Sequence, residues 1–140
     1  MTEATKLLLI EDDQSDADAI VKALAYDARS ARVVHAPSVA QATTLLAGER
    51  FDCILLDLFI PDSPGLEALW RIGTAYPDTP VIILTNTEDN LVESAALKTG
   101  AQDYLVKRDV DGKTLARAIR HAIDRHSRER RVAERSARDR

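Results

Sequence analysis

The chain has 140 residues, of which 45% are hydrophobic and 30% charged, with five Gly and five Pro. That suits one compact domain with a sizeable core and excludes a low-complexity or disordered chain. The net charge of −4 divides unevenly: residues 1–120 carry 12 basic and 19 acidic side chains (−7), and residues 121–140 carry seven Arg and four acids (+3). Because Glu129, Glu134 and Asp139 interleave with the arginines, the basic end reads as a solvated helix rather than a nucleic-acid-binding arm.

The N-terminus has no signal-peptide pattern, and no stretch approaches the roughly 20 apolar residues of a membrane span. A cytoplasmic protein without a membrane partner is expected. The single cysteine, Cys53, lies in an apolar run and is expected to be buried packing.

In chain order, short β-rich apolar runs occur at Leu7 to Ile10, Val33 to Ala36, Cys53 to Leu56, Val81 to Leu84 and Tyr104 to Val106. A helical pattern follows each one. Ser15 is the expected cap of the first helix, which carries Ala19, Ile20, Ala23 and Leu24, and Ser38 with Gln41 forms a capping-box pattern for the second. The third helix starts near Gly65, and the fourth spans about Asp89 to Lys98 and stops at Gly100. The fifth begins near Asp111 with an apolar stripe of Leu115, Ala118, Ile119, Ala122 and Ile123. It should reach at least Ser127, with helix beyond that point conditional on a neighbour.

Five βα units in a row, three of them with non-alternating strands, predict an α/β protein whose parallel sheet lies between two helical layers. In such a sheet ligands bind outside the carboxyl ends of the strands. In the flavodoxin-like order 2-1-3-4-5 the crevice falls between strands one and three.

Polar residues stand at those ends: Glu11 and Asp12 after the first run, Asp57 after the third, Thr85 after the fourth and Lys107 after the fifth. Three carboxylates converging in one crevice call for a cation, and oxygen-only ligands favour a hard ion such as Mg²⁺. Lys107 and Thr85 can stabilise an arriving phosphoryl group, with Asp57 as the nucleophile that forms an acyl phosphate. Each residue also has a plainer reading. Glu11, Asp12 or Asp13 can start a helix, Lys107 can snorkel, and Thr85 can be an ordinary strand residue. Asp57, flanked by Ile54 to Leu56 and Leu58 to Ile60, is the hardest to explain as packing.

The segments LLLIEDD, CILLDLFIPDSPGLE, VIILTNTE and GAQDYLVK together resemble the receiver domain of bacterial two-component response regulators, over about residues 6–126. The resemblance implies a phosphorelay switch rather than an enzyme acting on other substrates. Its phosphodonor would be a sensor histidine kinase or histidine phosphotransfer protein. Glu11 and Asp12 would be the acidic metal-binding pair, Asp57 the phospho-acceptor, Thr85 the switch hydroxyl, Tyr104 the switch aromatic and Lys107 the site lysine. Phe59 would lend its backbone carbonyl to the metal, and Asp13 would start the first helix. A homodimer through the fourth helix, fifth strand and fifth helix is a further implied partner.

Residues 1–127 would form the receiver and 128–140 a charged helical extension or tail. Two positions depart from the family pattern: Arg108 stands where a proline with a cis peptide bond is usual, and Asn86 stands where a very small residue is usual. Two other readings compete. A haloacid-dehalogenase-type phosphatase would need an aspartate at position 59, where this chain has Phe. A receiver-like module that signals by binding alone would not need the five site residues.

Overall fold

The computed structural model describes residues 4–27 and 31–138. Five strands, β1 (Thr5–Ile10), β2 (Ala31–Ala36), β3 (Cys53–Leu56), β4 (Val81–Thr85) and β5 (Asp103–Val106), alternate with five helices, α1 (Gln14–Asp27), α2 (Val39–Gly48), α3 (Leu66–Ala75), α4 (Asn90–Thr99) and α5 (Gly112–Arg138). The sheet is parallel throughout, in the order β2-β1-β3-β4-β5. Each expected strand core falls inside an observed strand.

The central strands are apolar without alternation because both faces are covered. Leu8, Ile10, Ile54, Leu56 and Ile83 pack with Val39, Ala42, Leu46, Leu69, Ile72 and Ala96 from α2, α3 and α4. Leu7, Leu9, Cys53, Leu55, Ile82 and Leu84 pack on the other face with Leu24 of α1 and Leu115, Ile119 and Ala122 of α5. Burying each of these large side chains stabilises the fold by about 1.5–3 kcal/mol. Cys53 is a free, fully buried thiol within the second layer, as its apolar setting predicts.

Local signals explain most helix ends. Ser38 Oγ accepts from the Gln41 amide, and the α2 N-terminus is further capped from outside by Asp62, whose carboxylate accepts from the Val39 and Ala40 amides at 3.0 and 2.9 Å. Gly100, at φ +122°, closes α4 with its amide on the Ala96 and Leu97 carbonyls.

The start of α1 corrects an expectation. The helix begins at Gln14, and Asp13, not Ser15, accepts from the Asp16 amide at 2.9 Å. Ser15 is already inside the first turn, too late to cap it, whereas Asp13 holds the position expected of a helix-start carboxylate.

Helix α5 runs on as 27 residues, about 40 Å, past Ser127 to Arg138. As far as Arg130 the helix is in contact with the chain's own body. Gln102, in the α4–β5 loop, accepts from Arg125 Nε at 2.7 Å and donates to Glu129 at 3.0 Å, while its carbonyl accepts from Arg125 Nη2. His126 Nε2 lies 2.8 Å from the Pro77 carbonyl, and Arg130 pairs with Asp78 at 2.9 Å. Residues 131–138 are all exposed.

Candidate functional site

Strand register brings the site together. Ile10 pairs with Leu56, so the next residues, Glu11 and Asp57, leave adjacent strands side by side, and the Asp57 amide donates to the Ile10 carbonyl at 3.1 Å. Thr85 pairs with Val106, which puts Lys107 one residue beyond the same edge. Glu11, Asp57 and Thr85 are buried, in contrast to Asp12, which is exposed. Glu11, Asp12 and Asp57 each bring a carboxylate oxygen within 4.8 Å of the others.

Lys107 crosses from β5 to meet this cluster. Its Nζ lies 2.8 Å from Asp57 Oδ2, contacts Glu11 Oε1, and lies 2.8 Å from Asp16 Oδ2 on the first turn of α1. The other Asp57 oxygen accepts from the Phe59 amide at 3.1 Å. The Glu11 carbonyl is engaged by the His35 ring at 2.6 Å.

Burial pushes the Glu11 carboxyl up to about 7, although the Lys107 ammonium pulls the other way; hydrogen bonding with Asp57 and repulsion from it add to the rise. Burial also acts upward on Asp57, but the hydrogen bonds from Lys107, Glu11 and the Phe59 amide outweigh it and hold that carboxyl below its usual range. Burial opposes the Lys107 charge, yet its contacts with Asp16, Asp57 and Glu11 hold the ammonium above its ordinary range. The resulting site has an ionised Asp57 beside a permanent cation.

Two buried atoms of the site lack a hydrogen-bond partner among the described residues, Glu11 Oε2 and Thr85 Oγ1; the third such atom, Arg130 Nε, lies far from it on α5. A buried acceptor left open is costly. An all-carboxylate donor set with an open Glu11 oxygen fits a hard divalent cation such as Mg²⁺.

Tyr104 is buried, and its hydroxyl donates to the Thr87 carbonyl at 2.6 Å in the β4–α4 loop. The Phe59 ring is largely exposed, so the position that would carry a phosphatase's second aspartate offers only an aromatic edge and a backbone amide. Lys107–Asp109 form a 3₁₀ turn, and no peptide bond among the described residues is cis, so the Lys107–Arg108 bond is trans. Arg108 donates to the Asn86 carbonyl at 3.0 Å and pairs with Glu88 at 2.8 Å.

Asp16 and these Arg108 contacts escaped the sequence reading. An acid in a first helical turn already has a sufficient explanation in the helix dipole. Nothing in the sequence pattern pairs it with a lysine 91 residues away.

Residues 7–120 match the response regulator receiver domain family. The transcriptional regulatory protein AfsQ1 of Streptomyces coelicolor is 37% identical over 123 residues, which cover 88% of this chain and 53% of that protein. The chain thus spans about half the length of that relative. A crystal structure of a response regulator receiver domain protein from Clostridium thermocellum superposes with a TM-score of 0.76 at 29% identity, covering 88% of this chain and 97% of that one. The signal receiver domain of a putative LuxO repressor protein from Vibrio parahaemolyticus shares the fold, with a TM-score of 0.79 at 24% identity over 92% of this chain and 97% of that one. With its parallel 2-1-3-4-5 sheet and this match over most of its length, the chain belongs to the response regulator receiver domains of two-component systems.

Proposed function

We propose that Asp57 is the phospho-acceptor of this receiver. A carboxylate oxygen of Asp57 attacks phosphorus, the new P–O bond forms as the bond to the donor breaks, and the leaving group departs with the electron pair. The observation that carries the reading is the contact of Lys107 Nζ with both Asp57 and Glu11, at the strand edge where the buried Thr85 hydroxyl has no partner among the described residues. Lys107 keeps Asp57 ionised and, with Thr85, faces charge that builds on the phosphoryl oxygens.

Glu11, Asp12, Asp57 and the Phe59 carbonyl would hold Mg²⁺, which when bound neutralises phosphoryl charge. The donor is a sensor histidine kinase or histidine phosphotransfer protein in the cytoplasm. The chain catalyses only its own phosphorylation and dephosphorylation. Residues 1–127 form the receiver and 128–140 a charged extension of it, helical as far as Arg138.

The switch runs from Thr85 to Tyr104, because the loop that follows Thr85 carries the carbonyl on which Tyr104 docks. Its output is altered binding at the face of α4, β5 and α5, where exposed Leu91 and Leu97 offer apolar surface for a partner or a second copy.

Calorimetric titration with beryllofluoride, a phosphoryl mimic, tests the reading. One Mg²⁺-dependent site per chain is expected, abolished in Asp57→Asn. Equal binding in that variant, or binding indifferent to Mg²⁺, would overturn it.

A further inference from the structure

Successive residues of the 3₁₀ turn grip opposite walls of the crevice. Lys107 reaches into the carboxylates, and Arg108 turns to the β4–α4 loop, residues 86–89. The guanidinium fork serves two acceptors at once, Nη1 on the Asn86 carbonyl at 3.0 Å and Nη2 on the Glu88 carboxylate at 2.8 Å. Between these two residues the Thr87 carbonyl receives the Tyr104 hydroxyl at 2.6 Å. Three consecutive loop residues are therefore tied by side chains from β5 and the turn that follows it. A lysine at position 108 could pair with Glu88 but could not donate to both acceptors in this geometry. A proline would have neither contact.

The loop is the continuation of Thr85, whose buried hydroxyl has no partner among the described residues. Its position governs whether that hydroxyl can meet an oxyanion at Asp57. Arg108 and Glu88 are both exposed, so the tie is weak and screened by salt. A weak tie suits a loop that must remain mobile enough to respond to a ligand.

We propose that Arg108 is a positioning residue: it clamps residues 86–89 in the arrangement in which Tyr104 docks on Thr87, and so preorganises Thr85 for an oxyanion on Asp57. The clause about the oxyanion rests on the Asp57 reading above, but the clamp itself does not.

Amide exchange followed by NMR on the full chain, without Mg²⁺ or phosphoryl mimic, isolates the clamp. Arg108→Ala should speed exchange at residues 86–89 about fivefold, with α1 and the sheet unchanged. Arg108→Lys should recover part of the protection, and Glu88→Gln should lose part of it. The same differences should appear in an Asp57→Asn background, so the clamp is judged whether or not Asp57 is the acceptor.

The second readout is the beryllofluoride dissociation constant with Mg²⁺, expected to weaken about fivefold in Arg108→Ala and less in Arg108→Lys. Exchange at residues 86–89 that is unchanged in Arg108→Ala would overturn the proposal. So would an acceleration spread evenly over the sheet, since that would make Arg108 a general stability residue.

Discussion

Lys107 Nζ stands 2.8 Å from Asp16 as well as 2.8 Å from Asp57, so one ammonium serves carboxylates from the end of β3, from α1 and, through Glu11, from the end of β1. Removing it strands two buried acids. Lys107→Ala should therefore lower stability by about 3 kcal/mol in Mg²⁺-free buffer at pH 7.5, read from denaturant unfolding. The loss should shrink at pH 5, where the carboxyls can take up protons, and Mg²⁺ should restore part of it. A variant as stable as the parent would mean that the lysine does not hold the cluster.

Glu11 should set the pH dependence of metal binding. Its carboxyl is raised from 4.5 to about 7 by burial, so the folded metal-free protein holds a proton there that the unfolded chain has released. The stability this proton confers is complete below pH 4.5 and is lost as pH rises from 4.5 to about 7. Mg²⁺ requires the ionised form, so its affinity runs the opposite way and should be about tenfold weaker at pH 6 than at pH 8. Titration at the two pH values checks this, and Glu11→Gln should remove the difference along with most of the affinity.

A Thr85 variant should separate structure from switching. Its hydroxyl is buried without a partner among the described residues, so Thr85→Val should leave the metal-free protein equally stable or up to about 1 kcal/mol more stable. The same variant should bind beryllofluoride more weakly and should not transmit its binding to Tyr104. Marked destabilisation of the metal-free form would show that the hydroxyl already has a structural role.

The strand positions and the convergence of Glu11, Asp57, Thr85 and Lys107 on one edge were legible because buried parallel strands write themselves as apolar runs with a polar residue at each carboxyl end. What remained hidden depends on contacts between distant segments. Asp13 and Ser15 are both competent caps, and only the backbone decided for Asp13. The contacts that hold α5 to the body as far as Arg130 come from Gln102, Pro77 and Asp78, none of which lies on that helix. Tyr104 carries no sign in the sequence of which carbonyl its hydroxyl will find.

The extension of α5 should behave as an appendage held to the body. Deleting residues 128–140 removes Glu129 and Arg130 but keeps Arg125 and His126 on Gln102 and Pro77. Far-ultraviolet circular dichroism should lose about one-tenth of the chain's residues from helix, with a cooperative melt lowered by about 3 °C at most. Loss of cooperative unfolding would place residues 128–140 inside the receiver's folding unit.

Cys53 should be chemically silent. Burial pushes its thiol up to about 12, and the residue has no exposed surface. An aromatic disulfide reagent at pH 8 should detect no thiol in the native chain and one after unfolding. Rapid reaction in the native state would mean that the β-sheet opens far more readily than its packing allows.

The most direct test of the account is phosphorylation itself. Incubation with acetyl phosphate and Mg²⁺, followed by intact-mass measurement and trapping of the acyl phosphate, should find one phosphoryl group per chain, on Asp57. The label should be absent in Asp57→Asn and absent when divalent metal is chelated. Phosphate carried by another residue, or labelling of Asp57→Asn equal to that of the parent, would contradict the assignment of Asp57 as the acceptor.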